Sequence, residues 1–154
     1  MVRLFVFNET EEKIPKNFGQ VLVGFFCKIL EDRIGEILKS SKATVNLIFV
    51  GDKEIHAINK KYRKKDEPTD VLSFSYIGDG VSFGVFKTPE KSFIVADIFI
   101  SVDTAKKQAL WRGHSLKREM EILFVHGLLH VFGFDHRNDK EEKEMEEYAG
   151  KILN

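Results

Sequence analysis

The segment ATVNLIFV at residues 43–50 limits the fold more than any other stretch of this chain. It is apolar almost without interruption, and a strand of that kind is covered on both faces rather than half exposed to water. The chain must therefore supply helices to pack on a sheet, and helical periodicity flanks the segment on both sides. From Phe18 to Lys39, the residues Leu22, Phe25, Phe26, Ile29, Leu30, Ile34, Ile37 and Leu38 recur at helical spacing, weakened early by Gly19 and Gly24. On the other side, Asp52 is placed to cap a helix through about Lys64, with Ile55, Ile58 and Tyr62 on one face.

The remaining elements follow from the same rules. Residues 2–7 read as a short strand and residues 93–101 as another, with Asp97 embedded in it. Pro68 disfavours helix in the residue before it. Residues 70–77 then alternate, with Leu72, Phe74 and Tyr76 on one face and Ser73 and Ser75 on the other. Gly78, Gly80, Gly84 and Pro89 mark residues 78–90 as a loop or irregular hairpin. Helices are predicted over residues 102–112, 115–132 and 139–153, the last opened by a capping box of Asn138 and Glu141. The order β-α-β-α-β-(β)-β-α-α-α predicts one α+β domain over residues 1–154, a small mixed β-sheet of about four strands packed with helices.

Composition excludes several function classes. The chain has 24 Lys plus Arg against 24 Asp plus Glu, so a nucleic-acid partner is not announced by bulk charge and would need a local patch. A single cysteine, Cys27, rules out an intramolecular disulfide, suits a reducing compartment and is expected to be a buried, inert thiol. No long apolar leader opens the chain, and no run approaches the ~18 apolar residues that span a membrane. A soluble, cytoplasmic protein is expected.

The chemistry concentrates at His126-Gly-Leu-Leu-His130-Val-Phe-Gly133-Phe-Asp135-His136. His126 and His130 lie four apart on a predicted helix, so their imidazoles leave one face, offset by about 6 Å along the axis. Two nitrogens so placed can converge on one ion at about 2.0–2.1 Å each. Gly133 can end the helix in the left-handed conformation, letting the chain turn back and bring His136 in as a third ligand. Three neutral ligands leave one coordination position open, as catalytic zinc sites do. The ordinary alternative for two histidines four apart is a buried structural pair; three of five histidines within eleven residues argue against it. Asp135 can either orient a ligand imidazole or simply form the turn. Zinc, one per chain, is the expected metal, although nickel also suits imidazole ligands.

The His-x3-His-x5-His spacing is that of the metzincin proteases, yet Gly127 stands where they carry a glutamate, the general base of peptide hydrolysis. A different substrate is suggested by Lys60-Lys-Tyr-Arg63-Lys-Lys65, five cations in six residues at a helix end. Most of these suit a solvated face favoured by the helix dipole. Arg63 differs, because its planar fork can hold two phosphate oxygens. Lys106, Lys107, Arg112, Lys117 and Arg118 precede the histidine helix and could extend a basic track for an RNA backbone. Asp97 needs a donor partner inside its apolar strand. His56 and His114 read as surface or locally hydrogen-bonded residues rather than ligands.

Three motifs in this order resemble the YbeY endoribonuclease family: Asn59-x-x-Tyr62-Arg63-x-x-Asp66-x-Pro68-Thr69-Asp70-Val-Leu-Ser-Phe74, then Asp97-Ile-x-Ile-Ser101, then His126-Gly-x-Leu-His-x-x-Gly-x-Asp-His136. Ala96 departs from the glycine that the family often has before the aspartate. The resemblance implies a metal-dependent, single-strand-specific endoribonuclease acting on single-stranded RNA, in ribosomal RNA maturation and ribosome quality control, with ribosomal subunits as partners. It places the metal ligands at His126, His130 and His136 and the important arginine at Arg63. It also implies a fold similar to that of the zincins, with a metal-binding helix beneath a small sheet. Either water activated by the metal or the substrate's own 2′-hydroxyl can be the nucleophile, with Arg63 meeting the phosphate. A zinc peptidase or a ribosome-associated binding factor with a structural metal are the alternatives.

Overall fold

The computed structural model describes residues 2–32, 43–76 and 93–154. Its elements in chain order are β1 (Arg3–Asn8), α1 (Gln20–Ile29), β2 (Ala43–Val50), α2 (Asp52–Arg63), β3 (Val71–Ser75), β4 (Phe93–Ser101), α3 (Val102–Arg112), α4 (Leu116–Val131) and α5 (Asp139–Leu153). The end of the helix predicted to Lys39 and the predicted loop or hairpin at residues 78–90 lie outside the described residues.

The strands form one mixed sheet in the order β1-β2-β4-β3. β1 and β2 are parallel, β2 and β4 are parallel, and β3 runs antiparallel to β4. The two apolar strands are thus the central ones, as the near-continuous apolar character of residues 43–50 requires. On one face Val45, Leu47, Phe49, Ala96, Ile98 and Ile100 meet α1, α4 and α5 in the main core. Ala96, the position that departs from the family's glycine, is fully buried there. On the other face α2 covers Val50, Leu72, Phe74 and Phe99 through Ile55 and Ile58. That cover is partial, because Phe5, Phe7 and Ile94 stay about half exposed.

Two local expectations are corrected. Asp52 does not cap α2: Gly51 holds the N-cap position, and Asp52 is the first helical residue. Its carboxylate instead accepts the Ser101 and Thr104 hydroxyls, both at 2.6 Å, and ties α2 to the start of α3. The capping box of α5 is half formed. The Asn138 side chain accepts the Glu141 N–H at 2.9 Å, but Glu141 reaches back to the N–H of Arg137 rather than to that of Asn138.

Asp97 has the donors it needs, Tyr76 Oη at 2.6 Å and Asn46 Nδ2 at 3.0 Å. The hydrogen bond to Asp97 pushes the Tyr76 phenol up to about 12. Cys27 is buried, and that burial pushes its thiol above the ordinary range, as expected of an inert core cysteine. Among the described residues no helix is long and apolar enough to cross a membrane.

Candidate metal centre and catalytic cleft

The helix that holds the histidines is positioned by the serines of β3. Ser73 Oγ donates to the Gly127 carbonyl at 3.3 Å, and Ser75 Oγ donates to the Val131 carbonyl at 3.1 Å. The polar face of the alternating segment therefore meets the backbone of α4, where hydroxyls can reach carbonyl oxygens. The approach is close at Gly127. A Cβ there would lie 2.9 Å from Ile98 Cγ2 and 3.0 Å from Ser73 Oγ, so any side chain would force helix and strand apart. This gives Gly127 a meaning that spacing alone did not reveal. The position that bears a peptidase's glutamate is pressed against the sheet and has no room for one.

α4 ends as the sequence predicts. Gly133 adopts φ 95°. Its N–H donates to the His130 carbonyl at 3.1 Å, and the Phe134 N–H donates to the Leu129 carbonyl at 3.0 Å. This pair of bonds is the Schellman arrangement, and it reverses the chain so that residues 135 and 136 return beside the helix end. Phe134 is buried and anchors the turn in the core.

The turn brings His130, Asp135 and His136 together. One ligand atom from each lies within 4.8 Å of the others, a spacing that a single ion can span. The His130 and His136 ring centroids are 5.3 Å apart. His130 Nδ1 lies 3.0 Å from the Phe134 carbonyl. A carbonyl only accepts, so Nδ1 holds the proton and Nε2 keeps its lone pair. Asp135 accepts the His136 N–H at 2.7 Å and pairs with Arg137 at 3.1 Å. The His136 N–H first, and Arg137 after it, hold the Asp135 carboxyl below the usual carboxylate range.

His126 is not in that group of three. It lies one turn earlier on α4 and is half-buried. Burial, and then the neighbouring His130, push its imidazole below the ordinary histidine range, which keeps it neutral at pH 7 as a ligand must be. Two imidazoles and a carboxylate in one group, with a third neutral imidazole one turn away, are a donor set of the kind that zinc-type ions take.

A cleft of about 1020 Å³ opens at this centre, and its walls include Asn59, Arg63, Lys65, Ser73, His130 and His136. The Arg63 guanidinium donates through Nη2 to the Ser73 carbonyl and lies 5.1 Å from the Phe74 ring centroid. Asn59, buried, donates to the Glu67 carbonyl at 2.8 Å and so holds the loop between Arg63 and β3. Of the expected basic track, Arg63 and Lys65 line this cleft. Lys106, Lys107 and Arg112 are instead engaged by Glu12, Asp52 and Glu119. Lys117 and Arg118 lie near Glu121. His56 and His114 are locally bonded as expected, to Asp66 and to the fully buried Glu119.

The family model for Endoribonuclease YbeY matches residues 5–154. The chain belongs to this family. An Endoribonuclease YbeY of Bacillus licheniformis is 42% identical over 138 residues, covering 82% of this chain and 87% of the relative. One from Acholeplasma laidlawii is also 42% identical over 148 residues, covering 96% and 92%. The solution structure of a Thermotoga maritima protein superposes with a TM-score of 0.59 at 26% identity, over 99% of this chain and 87% of the other. The mixed sheet with its helices is thus shared with a solved structure, and family membership covers the whole histidine segment and the cleft.

Proposed function

We propose that this chain, as one domain over residues 1–154, is a metal-dependent, single-strand-specific endoribonuclease. Its cellular role is ribosomal RNA maturation and ribosome quality control in the cytoplasm, with ribosomal RNA and ribosomal subunits as partners. His126, His130 and His136 are the ligands of one zinc-type ion in this reading, and Arg63 is the catalytic residue that meets the phosphate. The observation behind it is the shared cleft: His130, His136 and Arg63 line one cavity in a chain of an endoribonuclease family.

A divalent ion, when bound, supplies Lewis-acid activation of water or of a phosphoryl oxygen. The chain's own groups do the rest. His130 offers Nε2 because Phe134 holds Nδ1. Arg63 is braced through one nitrogen by the Ser73 carbonyl. Its remaining donors can then meet two phosphate oxygens as charge develops on them. The packing at Gly127 counts against a peptidase, since the general base that such an enzyme uses has no space.

Arg63→Ala is expected to lower kcat/KM for single-stranded RNA by roughly 10²–10³-fold, the effect of removing one donor from developing charge. Arg63→Lys restores charge but not the fork, so it should recover only part of this loss. Metal content and RNA binding should stay close to wild type. Cleavage assays with metal analysis on the same samples check this, and undiminished cleavage by Arg63→Ala would remove Arg63 from the mechanism.

A further inference from the structure

β3 is the outer strand of the sheet among the described residues, so one edge of its backbone has no neighbouring strand. Antiparallel partners alternate between pairs that exchange hydrogen bonds and pairs that do not. The Ser101 N–H donates to the Asp70 carbonyl at 2.9 Å, and the Tyr76 N–H donates to the Val95 carbonyl at 2.8 Å. Between them Leu72 is opposite Phe99 and Phe74 opposite Asp97, so the even-numbered residues bond to β4. Val71, Ser73 and Ser75 therefore turn their backbone N–H and C=O groups to the open edge. All three line the cleft that holds His130, His136 and Arg63.

An open edge ordinarily accepts another strand, which needs backbone donors and acceptors in alternation. Two groups of this edge are already taken. Asp70 Oδ1 accepts the Val71 N–H at 2.7 Å, while Asp70 Oδ2 is held by the Gln108 amide at 3.2 Å. Arg63 Nη2 occupies the Ser73 carbonyl, with its guanidinium over the Phe74 ring. The Ser73 N–H has no acceptor among the described residues. Arg63 has no carboxylate partner there either, whereas Lys106, Lys107 and Arg112 each have one. The N–H and C=O of one strand residue point the same way, so at Ser73 the edge presents a donor beside a cation. A peptide strand would need a donor beside an acceptor. Two donors side by side fit an anion instead.

We propose that the Ser73 backbone N–H is a second phosphate donor of the cleft, meeting an oxygen of the phosphodiester that Arg63 holds. This rests on the endoribonuclease reading and deepens it, because the edge then selects a phosphodiester over an extended peptide. The donor is fixed relative to the histidine helix, since Ser73 Oγ is bonded to the Gly127 carbonyl of α4. Preorganised donors of this kind act where charge develops, at no cost in reorientation.

The test replaces the Leu72–Ser73 amide by an ester, installing the α-hydroxy acid that keeps the serine side chain and loses only the N–H. Zinc content should stay at the wild-type level, and kcat/KM for single-stranded RNA should fall about 10- to 100-fold, as loss of a hydrogen bond to a charged group does. Ser73→Ala, which keeps the N–H, should lose much less. Amide hydrogen exchange in the zinc-loaded wild-type protein needs no variant to fold. The Ser73 N–H should exchange at least about tenfold more slowly with a saturating nuclease-resistant oligonucleotide (2′-O-methyl, phosphorothioate-linked). A methylphosphonate oligonucleotide, whose linkages are neutral, should give no such protection. Wild-type cleavage by the ester protein, or a Ser73 N–H that the charged oligonucleotide leaves unprotected, would overturn the Ser73 role while Arg63→Ala still impairs cleavage. Protection of that N–H by an unstructured peptide and not by the oligonucleotide would overturn it in favour of strand addition. A wild-type protein that cleaves no RNA would remove the endoribonuclease reading, and the inference with it.

Discussion

His130→Ala is expected to lose the bound metal and to lower RNA cleavage by at least about 10³-fold, while the metal-free fold melts close to wild type. Of the three proposed ligands, His130 has the most completely determined geometry. Its Nδ1 is fixed by the Phe134 carbonyl, and its ring stands with Asp135 and His136 in one group that can hold an ion. Losing it removes the Lewis acid, and metal stabilisation of transition-state charge is worth several kcal/mol. Each ~1.4 kcal/mol is tenfold in rate, which sets the lower bound given above. The fold should tolerate the change because His130 is only half-buried and its removal leaves the Schellman turn intact. Metal analysis and cleavage on one preparation would check both halves.

The second large effect is on stability and comes from a residue with no side chain. Gly127→Ala would place a methyl 2.9 Å from Ile98 Cγ2, 3.0 Å from Ser73 Oγ and 3.4 Å from Val71 Cγ2. Overpacking of that kind costs about 1–3 kcal/mol. Gly127→Glu adds a carboxylate to a buried seam and is expected to prevent folding, or to lift α4 from β3 altogether. Because Ser73 and Ser75 both bond to the backbone of α4, the displacement would reach the histidines. Gly127→Ala should therefore show a lower midpoint in urea and weaker zinc binding together. A Gly127→Ala protein with wild-type stability would mean that the seam can relax freely.

These two residues also show what the sequence alone could and could not tell. The spacing of His130, Gly133 and His136 predicts both the helix end and the return of the chain, because a left-handed glycine at that point has few outcomes. The strand at residues 93–101 and the helices at 102–112 and 139–153 occur over the predicted residues, since each has a periodic apolar face and a sharp boundary. The centrality of β2 follows from its continuous apolar run. Tertiary partners are what local pattern leaves out. Asp52 looks like a cap, but Ser101 and Thr104, some fifty residues away, claim its carboxylate. Gly127 reads as a missing catalytic base, whereas its close approach to Ile98 and Ser73 exists only once the sheet has formed. The alternation that put Ser73 and Ser75 on one face was a usable signal for the strand that meets the histidine helix, but nothing local says which helix. The charge of a lysine is legible in sequence and its partner is not. Lys106 and Lys107 thus looked like parts of a basic track, although Glu12 and Asp52 engage them.

The most direct measurement is a titration of metal-free protein with zinc while cleavage of a single-stranded RNA is followed. Cleavage should be absent after chelation, rise in proportion to added zinc and stop rising at one equivalent per chain. Full-rate cleavage by the metal-free protein would contradict the histidine centre as the place where the chemistry occurs.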